Sequence, residues 1–365
     1  MKDSIHSILT SYPFLLGLIS FAIGRFFMPY IIQMAQKREL VVKPNKRTSH
    51  EGRIPIIGGI NIYTSFILSF LIFSTETIDF QYQIILAGMF FILLVGFFDD
   101  MIELPALRKL WGELIAGFIL IVVAGVRLTN LYGFFGIYEI ADWISYPLSF
   151  FVYLLVVNGL NLIDGVDGLA SGLGVVICTF FGIYFSLINE TTLSMMSFAL
   201  VGALLIFFFY NVFGGKSKIF MGDSGALVLG YIVYLLVVNF CEINAAGIIN
   251  SGFAMSAAPV VVICVLSIPL IDTLRVMITR VKKGLSPFTA DRNHVHHLLL
   301  STGLKHREVT FVLILVNLFF ISIGLLLRNV RIEIAFLVVV ACAFIFTISL
   351  WRTVDRFKRK KEEEK

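Results

Sequence analysis

Carboxylates in close succession and a cluster of histidines stand out in this chain, because neither belongs in apolar surroundings. Asp99 and Asp100 are adjacent and follow Phe97 and Phe98 at the end of an apolar run. Neighbouring carboxylates repel each other unless a cation sits between or beside them. Mg2+ suits such a pair, since it takes oxygen from one or two carboxylates and completes its shell with phosphate. A solvated helix end is the plainer alternative, although the helix dipole disfavours carboxylates at a C-terminus. The stretch Asn158-Gly-Leu-Asn-Leu-Ile-Asp-Gly-Val-Asp-Gly-Leu-Ala-Ser-Gly172 sets Asn158, Asn161, Asp164 and Asp167 between two further apolar runs. A carboxylate facing lipid costs roughly 3 kcal/mol near the bilayer centre, so these must face protein, water or a ligand. Asn-Gly and Asp-Gly pairs are ordinary turn punctuation, but two carboxylates, two amides and the glycines at 165, 168 and 172 together ask for more than a turn.

Further clusters follow. Gly222-Asp223-Ser224-Gly225 opens another apolar run. Asp or Ser there is an ordinary helix cap, yet free backbone N–H groups and a positive dipole end would also receive an anion. The segment 279–308 carries Asp291, Arg292, His294, His296 and His297. Histidines spaced i and i+3 share a helix face, but no cysteine or fourth ligand stands at a zinc-like spacing. Imidazole and Arg292 suit a diphosphate better. Around 43–59, Lys46, Arg47, His50 and Arg53 precede Gly58-Gly59, and basic side chains can grip phosphate. Lys109 and Glu113 are spaced for an i,i+4 ion pair and Asp272 and Arg275 for an i,i+3 pair, which makes structural pairing the default for all four.

The elements that hold these residues are membrane spans. Of 365 residues, 58% are hydrophobic and 15% charged, with a mean hydropathy of +0.92, whereas soluble domains run near 25% charged. At about twenty apolar residues per span, the runs 12–34, 54–73, 81–98, 107–126, 145–162, 166–188, 193–212, 224–241, 256–278, 309–327 and 332–351 predict an all-α polytopic membrane protein of about eleven transmembrane helices. Pro147 and the polar turn after it weaken the 145–162 run. The first run is too long for a signal-peptide core and reads as a retained span. Residues 1–351 form a single integral-membrane domain, and 352–365 a charged tail.

Lys and Arg crowd 35–53, 99–109, 213–223, 279–308 and 352–365, while 74–80, 189–192 and 242–255 have none and 127–144 has only Arg127. The positive-inside rule then puts the N-terminus outside and the C-terminus in the cytoplasm, with every polar cluster on the cytoplasmic face. The net charge of +5 is distributed over these loops and is no nucleic-acid footprint. Cys178, Cys241, Cys264 and Cys342 are scattered in apolar surroundings and read as packing residues.

Taken in order, Pro44-Asn-x-Arg47…His50…Pro55-x-x-Gly-Gly59, Asp99-Asp100, Asn161-x-x-Asp-Gly-x-Asp-Gly168, Met221-Gly-Asp-Ser-Gly225 and the histidine segment resemble the polyprenyl-phosphate N-acetylhexosamine-1-phosphate transferases. These form the WecA/TagO-like branch of the superfamily that includes phospho-MurNAc-pentapeptide translocase. Each motif is weak by itself; the ordered set, from about 40 to 300, is specific. The resemblance implies a bacterial inner-membrane enzyme with a cytoplasmic active site. The phosphate of undecaprenyl phosphate would attack the β-phosphorus of a UDP-sugar, releasing UMP, with Mg2+ (or Mn2+) required. By the same resemblance Asp223 is a metal ligand, and Asp99 and Asp100 bind metal or position the lipid phosphate. Asn161, Asp164 and Asp167 line the nucleotide and catalytic site, with Asp99, Asp100, Asp164 and Asp167 as the catalytic carboxylates. Phe220 would stack on uracil, His294, His296 and His297 would contact the sugar diphosphate, and Arg47, His50, Lys109 and Arg292 would bind substrate. A homodimer is compatible with the family.

His-Val-His-His after Asp291-Arg292 looks like the UDP-GlcNAc-type branch, since the translocases usually carry three consecutive histidines. Glu113 stands where many relatives have Gln, and Ala226 where many have Ser. Relatives that use UDP-FucNAc or UDP-QuiNAc share these motifs, so GlcNAc is the first expectation for the sugar and those two are the alternatives. A transporter is the competing class. Transporters set charged sites near the midplane, often within internal repeats, and no repeat appears here.

Overall fold

The computed structural model describes residues 11–42, 54–73, 79–247, 252–282, 284 and 294–363. In chain order the helices are α1 (Phe14–Lys37), α2 (Gly58–Phe73), α3 (Phe80–Ile102), α4 (Ala106–Phe118), α5 (Asp142–Leu162), α6 (Leu169–Leu187), α7 (Thr191–Phe213), α8 (Gly222–Ala245), α9 (Ala258–Val265), α10 (Ser267–Lys282), α11 (Val295–Ser301), α12 (His306–Leu327) and α13 (Ile332–Glu363). Each expected span contains a helix. Among the described residues, eight helices are long and apolar enough to cross a membrane, and nine if α9 and α10 count as one bent span.

The other two of the eleven expected spans hold shorter helices. α2 has 16 residues, and α4 has 13 before it passes into a π-helical turn at Ile119–Val123. The 145–162 run is longer than expected, because α5 starts at Asp142 and carries Pro147 near its beginning. Two short antiparallel pairs qualify the all-α expectation: β1 (Val41–Val42) with β2 (Ile54–Pro55), and β3 (Asn130–Phe134) with β4 (Ile137–Glu139).

The bundle is built around α8. Its apolar stretch is 83% buried, against 17% for α13, so α8 is core and α13 lies at the lipid-facing margin. α8 packs against α2, α3 and α5. Missing side chains permit the closest of these approaches. A Cβ on Gly59 would lie 2.1 Å from the Gly225 nitrogen, and one on Gly96 would lie 2.5 Å from the Ser224 nitrogen. The starts of α2 and α8 and the end of α3 therefore meet backbone to backbone, which brings Asp99, Asp100 and Asp223 together. At the far end of α8, Glu242 accepts a hydrogen bond from the Thr129 N–H at 2.8 Å, which ties the β3–β4 hairpin to the opposite end of the bundle.

The 256–278 run is broken rather than straight: α9 and α10 bend by 80°. Pro269 is the cause. It has no N–H to donate to the carbonyl four residues back, which is that of Val265. Asn317 of α12, fully buried, fills the gap by donating to the Val265 carbonyl at 3.0 Å and to Ser267 Oγ at 2.9 Å. The break sends α10, with Asp272, off at an angle towards the histidine segment.

Candidate active site

Four helix ends converge on one ion cluster. Lys109 Nζ, near the start of α4, lies 2.9 Å from Asp99 Oδ2 at the end of α3 and 2.7 Å from Asp223 Oδ1 at the start of α8. Asn161, at the end of α5, donates to the same Asp223 oxygen. The Lys109–Glu113 pair expected from spacing does not form. The Lys109 ammonium reaches two carboxylates across the helix interface, and Glu113, buried, instead accepts from Asn158 at 2.7 Å. Asp99 also accepts the Leu104 N–H at 2.7 Å, so the loop into α4 is tied to the same residue.

Adjacent in sequence, Asp99 and Asp100 do different work. Asp100 accepts the N–H of Asp223 at 2.7 Å and that of Ser224 at 3.1 Å, one on each oxygen. The start of α8 was expected to offer these N–H groups to an anion; a carboxylate of the chain itself already takes them. Neither Asp223 nor Ser224 caps its own helix with its side chain. Gly222 has φ +71, and a Cβ there would sit 2.3 Å from the Ile56 carbonyl oxygen, so the turn into α8 requires glycine. Asp100→Asn keeps one acceptor but turns an amide N–H towards the second donor. Loss of one charge-assisted hydrogen bond should cost about 2 kcal/mol, read as a lower melting temperature of the purified protein. Unchanged melting would mean that Asp100 does not hold this junction.

The α5–α6 turn carries Asp164 and Asp167 in contrasting settings. Among the described residues, the Asp164 carboxylate makes no hydrogen bond or ion pair. Burial pushes its carboxyl well above the usual range, and the charges of Asp223, Asp100 and Asp167 add to that. Asp167 goes the other way. Burial would raise it, but the hydrogen bonds and charges of His306 and Lys218 outweigh burial and hold it below the usual range. Lys218 Nζ lies 2.6 Å and His306 Nδ1 3.4 Å from Asp167 Oδ2, so Asp167 clasps the α7–α8 loop and the start of α12 to this turn. Thr310 of α12 also donates to the Asp167 carbonyl at 2.8 Å.

Phe220 bridges the loops by its backbone, donating to the Pro55 carbonyl at 2.8 Å and accepting from Gly58 at 2.9 Å, while Lys218 Nζ stands 5.4 Å from its ring centroid. In the histidine segment, His294 and His296 are buried and their rings lie parallel, with centroids 5.6 Å apart. His297 approaches His296 at 4.3 Å. His296 packs on the α5–α6 turn: a Cβ at Gly165 would be 2.8 Å from its Nε2. Burial first, then the neighbouring His297, lowers its pKa to about 3, so it is neutral near pH 7. Arg47, His50 and Arg292 lie outside the described residues.

Sequence reasoning missed Lys218, His306 and Asp272 as site residues. Lys218 counted only as a loop cation, and Asp272 only as a partner of Arg275. That pair is present at 3.5 Å, but Asp272 is held more closely by His294 and the Val295 N–H. Tertiary approach brings these groups in, and no local spacing announces it.

Apolar helices with a lysine–carboxylate cluster at one end of the bundle define a multi-pass membrane protein with a site suited to phosphate chemistry. The glycosyl transferase family 4 model matches residues 82–241. The chain is 31% identical over 285 residues to an undecaprenyl-phosphate alpha-N-acetylglucosaminyl 1-phosphate transferase of Yersinia pestis, covering 77% of this chain and 75% of that protein. It is 29% identical over 309 residues to the Escherichia coli (strain K12) protein of the same name, with 84% and 81% covered. A probable undecaprenyl-phosphate N-acetylglucosaminyl 1-phosphate transferase of Bacillus subtilis (strain 168) is 28% identical over 316 residues, with 85% and 84% covered. The chain belongs to the polyprenyl-phosphate N-acetylhexosamine-1-phosphate transferase family. It is therefore a sugar-1-phosphate transferase, and the transporter reading falls away.

Proposed function

We propose that this enzyme transfers GlcNAc-1-phosphate from UDP-GlcNAc to undecaprenyl phosphate, at a site on the cytoplasmic face of a bacterial inner membrane. The observation that carries this reading is the convergence of Asp99, Lys109, Asn161 and Asp223 from four helix ends. The printed names of the relatives support the acceptor and the sugar, and the Lys/Arg pattern supports the side.

In this reaction an oxygen of the lipid phosphate bonds to the β-phosphorus of the nucleotide sugar. The bond from that phosphorus to the oxygen shared with the α-phosphate breaks, and UMP leaves with that oxygen. A phosphate monoester is largely dianionic near neutral pH, so the nucleophile needs little help from a base. Phosphoryl transfer depends mainly on positioning and charge neutralisation. Lys109 supplies fixed positive charge beside the carboxylates, Asn161 orients Asp223, and Asp100 holds the start of α8.

The residues fit Mg2+. All the donors are hard carboxylate oxygens, and Asp164 lies beside the cluster with its carboxylate unpartnered among the described residues. Among those residues no three His, Cys, Asp or Glu side chains form a ready cage, and Mg2+ commonly takes one or two carboxylates with the rest of its shell from phosphate and water. Asp223 and Asp99 would hold it, and its charge would offset the negative charge of the diphosphate. Asp100 gives one lone pair of each oxygen to a backbone N–H, and the lone pairs that remain would let it join them.

Purified enzyme in detergent should release UMP from UDP-GlcNAc only with undecaprenyl phosphate and Mg2+ both present. Turnover of UDP-FucNAc or UDP-QuiNAc alone would overturn the choice of sugar and leave the reaction class standing.

A further inference from the structure

Asp272 is 1% exposed, and each of its oxygens is committed. Oδ2 lies 2.9 Å from His294 Nδ1, and Oδ1 accepts the Val295 N–H at 2.7 Å, with Arg275 Nη2 at 3.5 Å. The bend at Pro269 aims this carboxylate at the histidine segment. His294 is itself 5% exposed, and its ring is stacked on His296, which packs against the Gly165 turn beside Asp164. The His294 ring thus cannot rotate without breaking the stack or the hydrogen bond to Asp272.

We propose that Asp272 is a positioning residue that keeps the proton of His294 on Nδ1 and reserves Nε2 as a hydrogen-bond acceptor for a hydroxyl or acetamido N–H of the bound sugar. The proton assignment follows from the partner: an ionised carboxylate can only accept, so the nitrogen facing it must donate. With Nδ1 committed, a ring that carries one proton has one acceptor left, Nε2. An acceptor does not grip phosphate oxygen, but it does read the hydroxyls and amide that distinguish one hexosamine from another. A site built to hydrogen-bond a substrate group discriminates strongly against analogues that lack it. His294 is then a specificity residue, and Asp272 acts through it. The second half of this inference rests on the proposed nucleotide-sugar donor; the first half does not.

Asp272→Asn separates the two halves. Its amide oxygen stays on the Val295 N–H, so its NH2 faces His294 Nδ1 and should drive the ring to the opposite tautomer. A buried Asp→Asn change beside a histidine in a serine-protease triad has that effect. In 15N-histidine NMR of the detergent-solubilised enzyme, the His294 signals are those lost in His294→Gln. They should report a protonated Nδ1 in the parent protein and a protonated Nε2 in Asp272→Asn. In kinetics, Asp272→Asn and His294→Gln should each raise KM for UDP-GlcNAc about 10-fold or more, leave KM for undecaprenyl phosphate within about twofold, and fail to add in the double variant. An unchanged tautomer, or additive losses, would overturn the positioning role. An inverted tautomer with unchanged KM for the UDP-sugar would overturn the specificity role. A parent enzyme inactive with UDP-GlcNAc would bear on the proposed donor alone, since the NMR result needs no substrate.

Discussion

Asp223→Asn is expected to fold normally and to lose at least about 10²-fold in turnover, the scale of removing one preorganised electrostatic contact. Its backbone N–H still donates to Asp100, so the junction at the start of α8 survives. The amide oxygen can still accept from Asn161 or Lys109, and Lys109 keeps Asp99 as a partner at 2.9 Å. Stability should therefore change by no more than about 1 kcal/mol. What disappears is the negative charge on which Lys109 and Asn161 converge, and with it the oxygen proposed to hold Mg2+. Size-exclusion behaviour and the melting curve check the fold, and UMP release checks turnover. Most of the activity persisting at saturating Mg2+ would mean that the metal is held elsewhere. Asp79→Asn, just ahead of α3 at the end remote from the cluster, is the control and should be near neutral.

Lys109→Met should harm both stability and activity. It leaves Asp99 and Asp223 facing each other without the cation that lies within 2.9 Å of both. Breaking a partly buried ion pair from one side strands the remaining charge, a loss of about 3 kcal/mol. Asp223→Asn leaves the lysine its Asp99 partner, whereas this change leaves two carboxylates without their cation. In divalent-free buffer the melting temperature should fall by several degrees, and millimolar Mg2+ should restore part of it. Turnover should drop by about 10²- to 10³-fold, since the proposed site loses its fixed positive charge. Normal melting without divalent ions would show that Lys109 is not the cation holding the cluster together. Adding Asp99→Asn should relieve the repulsion and recover stability without recovering turnover.

The membrane character was readable from the sequence, because the bilayer demands long apolar runs whatever they pack against. The gathering of the polar clusters was readable as well. When apolar runs alternate direction, every second connection falls at the same end, and Asp99, Asn161, Asp167, Phe220, Asp223 and His294 all lie on such connections. Family motifs then supplied the reaction class.

Partner choice was not readable. Lys109 and Glu113 have the spacing of a helical pair, but that contact is worth only a few tenths of a kcal/mol. A lysine brought between two carboxylates by close helix packing outbids it, and only the Gly59–Gly225 and Gly96–Ser224 approaches bring those carboxylates near. Asp99 and Asp100 look alike in sequence, yet successive helical residues point about 100° apart. One therefore meets Lys109 and the other the backbone of α8. The 256–278 run kept its apolar signature through the break, since hydropathy does not register the hydrogen bond that Pro269 omits and Asn317 replaces. That bend turns Asp272 from an apparent partner of Arg275 into the anchor of His294. Composition and order determined where the chemistry gathers; only the close approach of helices far apart in the chain decided which charge answers which.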